Sequence, residues 1–148
     1  MSKIAIALVI LMLVGGCVSS RPAPCTGFPR ELTTRSALAI LRSAPRVEAE
    51  SVGIGPQLSC YYAAYEFLVA QPDAGRSLRE LYRSGTVAAK IYALDGLRRT
   101  DPATFVVLAQ TAFFSSPEPV EFISGCVARE ESVATLARIV ASGGFRGF

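Results

Sequence analysis

With no histidine among its 148 residues, the chain must draw any chemistry from carboxylates, thiols, phenols and guanidinium groups. Ser-His-Asp and Cys-His nucleophilic mechanisms are therefore excluded within it. Two carboxylate pairs remain, Glu48 with Glu50 and Glu118 with Glu121. Such pairs can serve glycoside hydrolysis, but only at a set separation across a sugar cleft. Both pairs fall in stretches that read as loops or loop edges, where solvated charge is the ordinary role. Gly53-Ile54-Gly55-Pro56 has the glycine content of a phosphate loop. It lacks the Lys-Ser/Thr ending, and no strand is predicted before it, so a plain loop is the simpler interpretation. No catalytic motif, metal site or cofactor is implied, and the chain is not expected to be an enzyme.

Arginine offers a different possibility. Arg76, Arg79 and Arg83 recur at i, i+3 and i+7 and would share one helical face, with Arg98 and Arg99 nearby on a stacked helix. Guanidinium groups in such a row can grip carboxylates or phosphates, with Glu80 as a partial neutraliser. Tyr61, Tyr62, Tyr65 and Phe67 add an aromatic cluster. Tyr61 and Tyr65 fall on one stripe, and Tyr62 points away from it by about 100°. Tyr62 is accordingly the ring expected to reach a groove or partner. The predicted binding surface is thus Arg76, Arg79, Arg83, Arg98, Arg99 and Tyr62, against the alternative of a solvated helical face.

The elements that must position these groups read as helices. Thr33 or Thr34 can cap a first helix through Leu41, ended by Pro45. Residues 46–56 mix charge, Gly and Pro and are expected to form a loop. A second helix is predicted over 58–70, and a third opens at Asp73 and runs to Arg83. Ser84-Gly85-Thr86 is a break, with Gly85 expected in a left-handed position and Thr86 as the next cap. The fourth helix covers 87–99, with Asp95 and Arg99 as an i,i+4 ion pair. Asp101-Pro102 starts a fifth, reaching Phe114. A short extended segment is plausible over 120–127, and a last helix is expected from Arg129 to Ser142, stopped by Gly143 and Gly144.

The amino terminus carries the most specific signal. Lys3 precedes an apolar run from Ile4, and Val14-Gly15-Gly16 leads directly into Cys17. This arrangement resembles the lipobox of bacterial lipoproteins. The resemblance implies cleavage before Cys17, acylation of that cysteine and a membrane-anchored protein of the cell envelope on the periplasmic side. Val18 after the cysteine leans toward the outer membrane. An ordinary secretory signal and an uncleaved anchor are the alternatives. The run is shorter than the roughly 20 residues a spanning helix needs, and no Ala-x-Ala-like site follows. Residues 1–16 would be the signal peptide, 17–30 the lipidated cysteine and a Pro-rich tether, and 31–148 a single α-helical domain.

Cleavage would remove only Lys3 of the charged residues, leaving 14 basic and 12 acidic groups. That balance gives no reason to invoke nucleic acid. Export would place Cys25, Cys60 and Cys126 in an oxidising compartment. A Cys60–Cys126 disulfide is favoured, because Cys25 sits in the tether; reduced, buried thiols are the alternative. The segment 73–114, above all SGTVAAKIYALDGLRRTDP, resembles HEAT-like helical repeats. The expected fold is therefore all-α, about six short helices in HEAT-like pairs or an irregular bundle. The expected role is binding, as an envelope scaffold or accessory subunit with an unidentified protein partner. An immunity-type inhibitor, a carboxylate-dependent hydrolase and a bare structural tether are the alternatives.

Overall fold

The computed structural model describes residues 28–53 and 57–144. Cys17, Cys25, the signal segment and most of the tether lie outside the described residues, as does most of the Gly53–Pro56 stretch. Helix α1 (Thr34–Arg42) starts from Thr33, whose hydroxyl accepts from the Ser36 amide while Ser36 reciprocates to the Thr33 amide. This capping box satisfies two amides that the first turn leaves without partners. Helix α2 (Cys60–Val69) is capped by Ser59, and α4 (Val87–Thr100) by Thr86. Helix α5 (Pro102–Leu108) is capped by Asp101 with Pro102 in its first turn. Helix α3 (Ala74–Ser84) follows Asp73, which makes no side-chain cap.

The chain is a mixed α/β structure, which overturns the all-α expectation. Strand β1 (Val47–Val52) replaces the loop predicted over 46–56, and β2 (Gln57–Leu58) returns antiparallel beside it. Strand β3 (Pro119–Gly125) agrees with the extended segment, but β4 (Val127–Ser132) occupies residues assigned to the last helix. That helix, α6 (Val133–Ser142), begins only at the Ser132 cap. The sheet order is β2-β1-β3-β4, with β1 and β3 parallel and both outer pairs antiparallel. Val47 lies opposite Phe122, so the two buried side chains meet on one face. The HEAT-like reading falls with the all-α one. Helices α3 and α4 do form a tightly joined pair, but the next helix ends at Leu108. A 3₁₀ turn (Ala112–Ser115) then leads into the sheet rather than into a further helix pair.

At the centre lies α4. From Ala88 to Leu97 every residue except Lys90 is buried, and the helix touches α1, α2, α3, α5, α6 and β1. A helix buried all round carries little amphipathic signal, unlike the surface helices. Tyr65, Tyr92 and Phe122 are the largest fully buried side chains. Tyr92 does more than fill volume. Its hydroxyl accepts from the Glu48 amide at 2.7 Å and donates to the Glu48 carbonyl at 2.9 Å. Strand β2 pairs with β1 only at Ser51 and Val52. Farther along the same edge, the phenol occupies the place of a neighbouring peptide. The Glu48 carboxylate, also buried, accepts from Arg46 Nε at 2.7 Å and from Ser59 Oγ at 2.6 Å. Ser59 in turn caps α2 through the Tyr62 amide. Glu48 thus ties β1 to both α4 and α2.

Gly85 is not left-handed as expected; its φ of −89° and ψ of 170° are extended. What it supplies is space. A Cβ there would lie 2.8 Å from the Leu81 carbonyl oxygen and collide with the Ala89 Cβ.

Two outcomes follow for stability. Gly85→Ala should destabilise the fold by about 1–3 kcal/mol through overpacking of the α3–α4 turn. Tyr92→Phe should cost about 1–3 kcal/mol, because it strands a buried amide and carbonyl together. Urea unfolding of each variant against the parent chain measures both, and an unchanged midpoint for Tyr92→Phe would show that the hydroxyl does not hold β1.

Candidate functional site

The helices bring a charged cluster together at the carboxyl-terminal half of α4. Asp95, only 3% exposed, accepts from the Tyr65 hydroxyl through Oδ2 and from Arg98 Nη2 at 3.3 Å through Oδ1. Arg98 Nη2 also donates to the Gly143 carbonyl at 2.8 Å. Arg99 turns toward α2 instead: Nη1 donates to Glu66 Oε1 at 2.7 Å and to the Tyr65 hydroxyl at 3.1 Å. Its guanidinium lies 5.8 Å from the Tyr65 ring centroid, within range of a cation–π contact. The expected Asp95–Arg99 pair is therefore replaced by Asp95–Arg98 and Glu66–Arg99.

The electrostatics are those of a fastening. Burial, and then the adjacent Asp95 carboxylate, push the Tyr65 hydroxyl well above the usual tyrosine range, so it remains a donor at neutral pH. The hydrogen bond it donates to Glu66 raises Arg99 above its ordinary value and holds it as a cation. Two carboxylates meet two guanidinium groups, so the cluster's formal charges cancel. Gly144 presses against it with φ +82°; a Cβ there would meet Asp95 Oδ1 and lie 2.9 Å from Arg98 Nη2. Gly143 and Gly144 thus lie over the Asp95–Arg98 side of the cluster, while Glu66 and Arg99 remain partly exposed.

Of the predicted surface, Arg76, Arg79 and Arg83 all lie exposed along α3, while Arg98 and Arg99 on α4 are half-buried. Arg79 is paired with Asp101, which also caps α5, and Arg83 Nε donates to the Arg79 carbonyl. Glu80 engages Arg42 at 2.5 Å rather than Arg76. Arg76 is exposed, while Arg98 and Arg99 point to different neighbours. Tyr62 is corrected as well. It is 5% exposed and packs against Tyr65 with ring centroids 5.6 Å apart, while Tyr61 is the more exposed neighbour. Position around an ideal helix could not show that α1 and β1 both close over α2 and cover more than one of its faces. Of the carboxylate pairs, Glu48 is buried while Glu50 is exposed, and Glu118 and Glu121 are both exposed. Arg46 Nη1 lies 4.0 Å from Glu121. A strand does precede Gly53, contrary to expectation, but β2 follows and no helix opens there. Among the described residues no group of three or more His, Cys, Asp or Glu is placed to hold a metal ion. No described helix is long and apolar enough to cross a membrane.

Cys60, in the first turn of α2, and Cys126, between β3 and β4, are both disulfide-bonded, and no described cysteine is free. Both are close in sequence to residues that pair with Val52, namely Gln57 and Gly125.

The surface left open lies elsewhere. Helix α5 contributes no buried residue, and Val106 and Val107 are 55% and 65% exposed. With the 3₁₀ turn it forms an arm whose Phe105, Phe113 and Phe114 are only partly buried. From Pro102 to Pro117 the sequence holds no charged residue, although 18% of the whole chain is charged. That gap is visible in the sequence itself. Comparison with known proteins returns no matching family model, no matching curated protein and no matching solved structure.

Because the folded chain holds Tyr65 and Tyr92 above the unfolded value of 10, alkali favours the unfolded chain, where both can ionise. Their contribution should be intact below pH 10 and fall away as pH rises beyond it. Thermal melts from pH 8 to pH 11.5 should show this decline, shallower in Tyr65→Phe; equal slopes would argue that Tyr65 titrates freely.

Proposed function

We propose that this is a lipid-anchored protein of the bacterial cell envelope that acts by binding, as a scaffold or accessory subunit, rather than by catalysis. The lipobox-like segment ending at Cys17 supports the address. The exposed, charge-free arm of α5 and the 3₁₀ turn carries the binding role. An apolar patch left in water is disfavoured unless it meets something, and such patches commonly mark contact sites. The polar groups of the interior point the same way. Glu48 is engaged by Arg46 and Ser59, Asp95 by Arg98 and Glu66 by Arg99, in the manner of groups that hold helices and strands together.

Intact mass of the native protein, extracted from membranes without reduction and alkylated at free thiols, tests the address. The expected mass begins at Cys17 and includes acyl chains; a mass beginning at Met1, or lacking acyl chains, would remove the anchor. Peptide mapping of the same sample tests the proposed Cys60–Cys126 pairing, with Cys25 as the competing partner. For the binding role, a photo-crosslinking residue at Val107 should capture an envelope component, with protein adducts read by gel shift and lipid adducts by mass. The same residue at Arg76 should capture far less. Equal or absent capture at both positions would argue against the arm as the contact surface.

A further inference from the structure

We propose that the partner of the α5 arm is a lipid surface, with Val106, Val107 and the flanking phenylalanines seated at the boundary between headgroups and acyl chains. This inference rests on the lipid-anchored reading and deepens it.

Three observations favour lipid as the occupant. The first is composition. Residues 102–117 carry no charge, and they expose Val106 and Val107 beside phenylalanines that pack partly against the core. Phe105 and Phe114 meet edge-on at 6.1 Å, which gives the arm a fixed aromatic ridge.

The second is the rim. Lys90 Nζ lies 5.6 Å from the Phe113 ring centroid, and Tyr82 packs edge-on against the same ring at 5.7 Å. An apolar wedge bordered by a tyrosine and a lysine fits the membrane interface. There the phenol sits among headgroups and the long ammonium stem reaches lipid phosphate.

The third is reach. Only ten residues, or eleven residue-to-residue steps, separate Cys17 from Phe28, the first described residue. Fully extended, they span at most about 40 Å, and a domain of this size has a radius of gyration of about 13–14 Å. An anchored domain is therefore confined near the bilayer, yet every face can turn toward it. Confinement of this kind raises the effective concentration of the surface, so even a weak interfacial preference orients the domain.

The chain contains no tryptophan, so a single Val107→Trp substitution is a clean reporter at an exposed position. The full chain, extracted with its native anchor, would be reconstituted into phosphatidylethanolamine–phosphatidylglycerol vesicles with and without brominated acyl chains. The tryptophan emission at position 107 should be blue-shifted and should lose most of its intensity to brominated lipid. A Val127→Trp control sits at the far end of β3 from the arm, about 20 Å away at strand spacing. Its emission should remain water-like and unquenched. Adding Val106→Asp should return the position-107 signal to water-like emission while circular dichroism stays unchanged.

Water-like emission from an anchored, correctly acylated chain would overturn the lipid proposal and leave the anchor standing. Blue-shifted emission that bromolipid does not quench would also overturn it, placing a second copy or another protein on the arm. Quenching in a chain whose mass shows no acyl group would support the arm and sink the anchor.

Discussion

The Tyr92 hydroxyl, bound to both the amide and the carbonyl of Glu48, is the contact on which the joining of sheet and helices depends. A strand whose neighbour is too short leaves peptide groups without partners, and burying them unpaired is costly. Here a side chain from the central helix completes the ladder. The same residue, through its carboxylate, reaches the cap of α2 and Arg46. Position 48 therefore sets the height of β1 against α4 and the start of α2 together. From those placements follow the seats of Tyr62 and Tyr65 in the core.

Several charges in this molecule hold one element to another. Arg98 reaches the chain after α6, Arg99 reaches α2, and Arg79 fixes the start of α5 through Asp101. Of the arginines that sequence spacing singles out, Arg79, Arg98 and Arg99 link separate elements, whereas Arg76 and Arg83 stay exposed on α3. The apolar residues of α5 and the 3₁₀ turn are treated the opposite way, left at the surface with no charged neighbour in sequence. The division is consistent with a protein whose polar residues secure the fold and whose contact surface is greasy.

The helical half of this arrangement was legible from local chemistry. Thr33, Thr86 and Asp101 each announce a helix start, and each caps one. Gly143 and Gly144 mark the end of α6 and take positive φ. The strands were harder. VEAESV does alternate at Val47, Glu48, Ala49 and Glu50, but two glutamates suggested solvent, and only the contacts with Tyr92, Ser59 and Arg46 bury Glu48. In β4, Arg129, Glu130 and Glu131 look like the first turn of a helix. Their strand state comes from pairing with β3, a partner that local periodicity cannot reveal. The ionic cluster is half legible: Asp95, Arg98 and Arg99 stand out, but their partners differ from the expected i,i+4 pair, and Glu66 acquires meaning only once α2 lies beside α4.

The parallel contact between β1 and β3 joins segments separated by 66 residues of chain. Closing so long a loop carries an entropic penalty that local helices do not face. Pairings of this kind slow folding relative to helices held by near neighbours. As the polypeptide emerges from its amino terminus, α1 through α4 can organise early, but β1 must wait for β3, with only the Tyr92 phenol and the two residues of β2 to occupy its edge. A fold built in this order is vulnerable late. Until the last thirty or so residues arrive, an unpaired strand edge is exposed, and a nascent chain in that state would be open to the wrong neighbour.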